Sequence, residues 1–390
     1  MTAAACCSEE RDIASQNNHN SNSDNSSPQD SKEYLVPPGD CMSAFKYKKV
    51  RVPPKDLKLA DIMQTIPKEV FDKNPWKALF CVLLSVAASS LGVYWIHKSP
   101  WFLLPLVWFY TGTAWTGLFV IAHDCGHRAF AKSRLVNDIV GTLAMLPLIY
   151  PFEAWRIQHN IHHQNTNLLD VDNAWQPFQT THWEQASSFQ RLVFRIVKGP
   201  MWWFASVGHW LKYHFHMGYF KDSQKKRVLF SCALVVVFFV GMTTFLVHQT
   251  GWLGFVKYWL VPWIFYHFWM STFTMIHHTA PHIPFLTKEQ WSNARASLGL
   301  TVHCDYPFWI VLLCHNINVH IPHHISTQIP MYNLWKAHDA LKQKWSPYMN
   351  EAQFGWTLLS AIIRRCHIYD DELTYVSFPK KNISSTKSLS

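Results

Sequence analysis

The alternation of apolar and polar stretches divides this chain before any single residue is considered. Residues 1–44 are rich in Ser, Asn, Asp and Gln and offer almost nothing to bury, so they read as a disordered polar leader. Glu9, Glu10 and Asp12 with little besides Arg11 as base make a poor transit peptide, and no apolar core of a secretory signal is present. Residues 45–76 open with Lys46, Lys48, Lys49 and Arg51. An amphipathic run over 57–70, broken by Pro67, follows and suits a helix resting at a membrane interface. Two apolar runs, 78–96 and 101–122, are each long enough to cross a bilayer at about 20 residues per crossing. Only His97-Lys-Ser-Pro100 separates them, which predicts a tight helical hairpin. Runs 228–247 and 251–275, joined by His248-Gln-Thr250, predict a second hairpin. Apolar stretches 139–150 and 200–207 are too short to cross and read as interfacial or re-entrant. The expected fold is all-α and multi-pass: four transmembrane helices in two hairpins under a helical cap. The main domain covers 77–370, and 371–390 form a polar tail.

Composition supports the membrane reading. Apolar residues make up 49% and charged residues 15%, with 20 Trp and 26 Phe, where a soluble chain carries about a quarter charged residues. The net charge of +10 does not call for nucleic acid, because the bases sit beside the apolar runs. Everything outside the two short turns lies on one side of a four-crossing chain. That side holds Lys46, Lys48, Lys49, Arg51, Arg128, Lys132, Arg134, Lys221, Lys225, Lys226, Arg227, Arg364 and Arg365, whereas the turns carry one Lys. The bias of Lys and Arg toward the inner face makes that side cytoplasmic or stromal. Nine cysteines without a C-x-x-C pair, an odd number, indicate a reducing compartment rather than a disulfide framework.

The candidate chemistry is histidine. Three boxes read His123-Asp-Cys-Gly-His127, His159-Asn-Ile-His162-His163 and His320-Ile-Pro-His323-His324. Positions i, i+3 and i+4 share a helix face, so each box points its imidazoles one way. With 23 His in 390 residues, chance would give roughly 0.08 occurrences of H-x-x-H-H, and there are two. Converging imidazoles repel when protonated, and a metal relieves that cost. Pro322 lacks an N–H, so the third box should open its helix. Eight imidazoles exceed what one zinc uses and suit two metals with open positions, but imidazole does not choose among zinc, copper and iron. A two-zinc hydrolase would want a wet pocket, and an oxygen-activating di-iron site a dry acyl tunnel. A metal transporter would hold its ligands at mid-membrane depth, whereas these boxes flank the runs. His278, where the fourth run ends, is a further candidate ligand ahead of His277, His282 and His303. Asp124, Asp170, Asp172, Asp305 and His315 lie where they could orient imidazole N–H groups.

Beyond the boxes, the chain resembles the integral-membrane fatty acyl desaturases, and most closely their plastid omega-6 and cyanobacterial delta-12 acyl-lipid members. The resemblance rests on Ala122-His-Asp-Cys-Gly-His-Arg128, Pro147-Leu-Ile-Tyr-Pro151, Val171-Asp-Asn-Ala-Trp175, Tyr266-His-Phe-Trp-Met-Ser-Thr-Phe-Thr274, Val302-His-Cys-Asp-Tyr-Pro307 and Ile317-Asn-Val-His-Ile-Pro-His-His324, and it spans about 57–369. It implies two iron ions that activate O2 with two external electrons. The ligands it implies are His123, His127, His159, His162, His163, His320, His323 and His324, with His278 as a ninth. Some members place an Asn four residues before that last histidine to hold a metal-bound water; here the position is Thr274. The implied reaction converts oleoyl to linoleoyl groups in membrane glycerolipids. The same scaffold also supports other regiochemistry or hydroxylation, and a histidine-rich metal-binding receptor or transporter is the reading from another class. No His-Pro-Gly-Gly haem motif is present, so electrons come from a separate protein. The resemblance implies ferredoxin and a plastid or cyanobacterial membrane; a separate b-type cytochrome would accompany an endoplasmic-reticulum member.

Overall fold

In the computed structural model, residues 33–369 and 375–378 are described. After α1 (Leu59–Met63), the long helix α2 (Pro75–Lys98) starts where Asn74 accepts hydrogen bonds from the Trp76 and Lys77 amides and Pro75 takes the first helical position. The chain stops at Ser99-Pro100, makes one tight turn, and returns as α3 (Leu104–Gly126). Then come α4 (Arg134–Met145), α5 (Phe152–Gln164), α6 (Thr180–Gln185), α7 (Ser188–Lys198) and α8 (Ala205–His214). A long apolar passage follows as α9 (Asp222–Phe255) and α10 (Val261–His278). The remaining helices are α11 (Asn293–Arg295), α12 (Phe308–Leu313), α13 (His320–Ile325), α14 (Leu334–Trp345) and α15 (Trp356–Arg365).

Among the described residues, three continuous helical runs are long and apolar enough to cross a membrane: Pro75–Lys98, Trp101–Gly126 and Asp222–His278. The last holds 57 residues and would be roughly 85 Å long if straight, against a hydrocarbon core of about 30 Å. It is not straight. Gly251 adopts φ 69° and ψ 179°, a region open to glycine, and beyond it the Trp259 ring lies 5.5 Å from that of Phe239. Residues twenty apart in sequence touch only if the chain has folded back. The turn therefore falls at Gly251, just after the expected 248–250, because that residue alone there tolerates the backbone. α4 and its continuation to Leu148 meet α5 at 101°, which accounts for the short apolar stretch at 139–150 as half of a bent pair. The apolar window of α2 is only 28% buried within the protein. So large an exposed apolar surface suits a lipid surround.

The helices are joined closely. A Cβ on Gly112 of α3 would stand 2.4 Å from the Phe265 Cβ and 2.8 Å from the Pro262 carbonyl of α10, and one on Gly117 would stand 2.2 Å from the Leu313 carbonyl. These glycines let backbones approach as small residues do between membrane helices.

The all-α expectation needs one correction, since a few short strands join separate segments of a mostly helical chain. β1 (Tyr34–Leu35) pairs antiparallel with β2 (Val50–Arg51). Parallel to each other run β4 (Val302–Asp305) and β5 (Asn350–Gln353). β3 (Phe178–Gln179), β6 (Ile368–Tyr369) and β7 (Tyr375–Val376) form a small sheet in the order β3-β6-β7. Strands of two to four residues carry too little periodicity to register in a sequence. They also move two boundaries. Residues 33–44, expected in the leader, include β1 and the fully buried Cys41, and Lys46 reaches Glu351 at 3.0 Å. β7 lies within the expected tail. The rest of the leader, 1–32, and residues 370–374 and 379–390 lie outside the described residues. The amphipathic run buries Ile62, Ile66 and Val70 in the core shared with Ala337, Leu341 and Trp345 of α14.

Candidate metal centre

Each box is placed by a helix end. α3 presents His123 in its last turn, with His127 capping it. α5 carries His159, His162 and His163 on its final two turns, and α13 begins at His320 with Pro322 inside its first turn, where a missing N–H costs nothing. α10 ends on His278. The helix ends converge. His123, His127, His159, His163 and His323 form one group whose ligand atoms lie within 4.8 Å of one another, and His162, His278 and His324 form a second. His320 completes the second, its Nε2 standing 3.0 Å from both the His278 and His324 Nε2 atoms. The groups adjoin, with the His163 and His324 rings stacked at 4.2 Å.

The facing atoms are what a metal needs. The Nε2 atoms of His163 and His159 are 3.0 Å apart, those of His323 and His163 3.1 Å, and those of His162 and His278 3.1 Å. Burial, reinforced by the neighbouring imidazoles, holds His320, His323 and His324 well below their usual titration range, so they are neutral and offer lone pairs. Nε2 of His123 and Nε2 of His127 are buried without a hydrogen-bond partner. Buried polar atoms are nearly always paired, and cations between these nitrogens would satisfy them. The donor set fits two metal ions.

Around this cluster the polar contacts are specific. Asp172 accepts from His162 Nδ1 at 2.7 Å and from the Asn167 and Ala174 amides, which fixes that ring with Nε2 toward the site. Thr166 Oγ1 lies 3.1 Å from His324 Nδ1, and Asn167 donates to the His278 carbonyl. Thr166 and Asn167 lie three and four residues after the last histidine of box two, and that proximity was the available signal for them. Asp124 lies 3.7 Å from His123 Nδ1 and accepts instead from the Met331 amide at 2.7 Å. The other three expected orienting groups are elsewhere. Asp170, at φ 66°, turns outward to Gln179. Asp305 pairs with His303 at 3.0 Å, a histidine stacked on His338 rather than on any box. His315 bonds Ser85 of α2 at 2.6 Å. Of the remaining histidines, His282 meets Asn350, and His277 lies against His320 with rings 4.3 Å apart.

A cavity of about 510 Å³ opens beside the cluster. His123, His159, His162, His278 and His320 line it together with Phe119, Trp155, Phe273 and other apolar side chains. It is a mostly apolar space of the size that holds small apolar ligands, as an acyl chain requires.

Known proteins decide the class. Residues 99–354 match the family described as "Fatty acid desaturase". The chain belongs to the fatty acid desaturase family. This desaturase is 50% identical over 327 residues to the "Omega-6 fatty acid desaturase, chloroplastic" of Arabidopsis thaliana, covering 84% of this chain and 73% of that one. It is 51% identical over 326 residues to the "sn-1 oleoyl-lipid 12-desaturase" of Picosynechococcus, covering 83% and 93%. The protein of that name from Synechocystis is 49% identical, covering 84% and 93%. The desaturase is thus an oxidoreductase acting on fatty acyl groups.

Proposed function

We propose that this desaturase inserts the omega-6 (delta-12) double bond, converting oleoyl to linoleoyl groups in membrane glycerolipids. The observation that carries the reading is the pair of histidine groups beside an apolar cavity, in a chain about half identical to desaturases of that name. The two metals are iron, held by His123, His127, His159, His163 and His323 on one side and His162, His278, His320 and His324 on the other. Bound iron supplies the activation of O2. One O2, two electrons and two protons are consumed, two hydrogens leave adjacent carbons of the chain, and two waters form.

The protein's own residues do the positioning. Phe119, Trp155 and Phe273 exclude water and hold the chain extended against the cluster, so that one pair of C–H bonds is presented. Asp172 keeps His162 in the ligating tautomer. Thr274 lines the same cavity in place of the Asn that some relatives use. With the two limbs either side of Gly251 and the α2–α3 hairpin as four crossings, the boxes share one face, and the Lys and Arg bias of that face supports its being the stromal or cytoplasmic face of a plastid or cyanobacterial membrane. Basic residues on that face suit an acidic electron carrier such as ferredoxin.

Expression in a host that makes oleate but no dienes, with ferredoxin and its reductase supplied, tests this. The expected product is an 18-carbon diene with its new bond at carbon 12, absent from His163→Ala although that variant still inserts in the membrane. A hydroxylated product or a bond elsewhere would sink the omega-6 assignment, and zinc in place of iron would sink the di-iron one.

A further inference from the structure

A second, more open cavity of about 800 Å³ adjoins the first. Gln158, Asn173, Phe178, Phe194, Lys212 and Tyr213 line both, so the two adjoin along these side chains. Their walls differ in chemistry. The first is mainly apolar; the second adds Asp170, Gln176, His182, Gln185 and Gln190. A glycerolipid is built in the same way, with an apolar chain that ends in a polar glycerol ester.

Lys198, the last residue of α7, stands at the join. Its Nζ donates to the Gln176 carbonyl at 2.7 Å and the Trp175 carbonyl at 3.3 Å. It sits 4.2 Å from the Trp175 ring centre and 6.0 Å from that of Phe178. Gln176 lines the polar cavity, Trp175 the apolar one and Phe178 both. Only 9% of Lys198 is exposed, and no carboxylate among the described residues pairs with it. A buried ammonium without an anion is costly, and an ammonium has three donors, of which the two carbonyls take two. For the third, the described residues offer no acceptor beyond the face of the Trp175 ring. α7 also borders the lipid side: Phe189, Leu192, Val193 and Ile196, spaced along one helix face, are exposed, and Val193 lines the apolar cavity as well. An amphipathic helix of this kind lies at a bilayer surface, so a lipid reaches the cavity past it without leaving the membrane.

We propose that Lys198 anchors the glycerol-ester end of the acyl lipid, donating its remaining N–H to an ester carbonyl oxygen and so setting which carbons lie against the histidine cluster. This rests on the cavity being the acyl site. Lys198 is then a positioning residue, and its loss lets the chain slide.

The test uses the full chain in membranes with its donor supplied, comparing wild type with Lys198→Met and Lys198→Gln. Iron content, kcat/KM on oleoyl glycerolipid and the position of the new bond are measured together. The expected result is wild-type iron in both variants, a fall in kcat/KM of about tenfold or more, as for loss of a charge-assisted hydrogen bond, and dienes with the bond at more than one position. Wild-type kinetics, or a slower enzyme with a single unchanged bond position, would overturn the proposal. So would loss of iron from both variants, which would make Lys198 a brace of the Trp175 loop. If the wild type itself makes no diene, the desaturase reading fails, and the anchor fails with it.

Discussion

Asp172 and Asp170 stand two residues apart in one loop, yet only Asp172 touches a box histidine. Backbone geometry separates them: Asp170 sits in the left-handed region and points outward to Gln179, while Asp172 turns inward to His162 and is held by two amides. Loss of such an orienting carboxylate costs about 10- to 100-fold in metal affinity or activity. Asp172→Ala should therefore lower the metal content and diene yield by that order, whereas Asp170→Ala should leave the metal content unchanged; metal analysis of the purified variants beside product analysis checks this. Equal effects would remove the orienting role. The ligands themselves were legible because i, i+3 and i+4 spacing is local. Their partners were not, because which of several nearby carboxylates meets a ring depends on a loop's path.

Between elements, the contact of α3 with α10 matters most, since α3 brings box one and α10 brings His278. Gly112 allows it, with the Phe265 Cβ at 2.4 Å from where its own Cβ would be. Gly112→Val must push the helices apart, and overpacking of this kind costs typically about 1–3 kcal/mol. The detergent-solubilised variant should melt at a lower temperature and hold less iron. Gly241 of α9 has nothing near its Cβ position, so Gly241→Val should lower neither, since it removes no contact and slightly raises helix propensity. A Gly112 variant with wild-type melting and iron content would show that the close approach is not needed. The long apolar runs were readable as helices from their length alone. The two-residue strands were not, because two residues carry too little periodicity to register, whether the partner is near, as for β6 and β7, or far, as for β3 and β6.

At the scale of the whole molecule, the four crossings we propose would put the α2–α3 turn on the opposite side from α6. The seven described cysteines are all buried. In a Cys6→Ser, Cys7→Ser background, Lys98→Cys and Glu184→Cys should therefore react with a membrane-impermeant thiol reagent from opposite faces. Labelling of both from one face would contradict the two-hairpin arrangement.

The sequence by itself determined the class of solvent, the helical runs and the histidines, because hydrophobic length and ligand spacing are properties of neighbouring residues. The family-specific motifs added the chemistry. Only the tertiary structure decided how the histidines divide into two groups, with His163 and His324 in contact across the division. It alone separated Asp172 from Asp170, Asp305 and His315, and placed Lys198 where an apolar cavity meets a polar one. Those choices depend on which helix ends converge, and convergence is set by packing between residues a hundred or more positions apart.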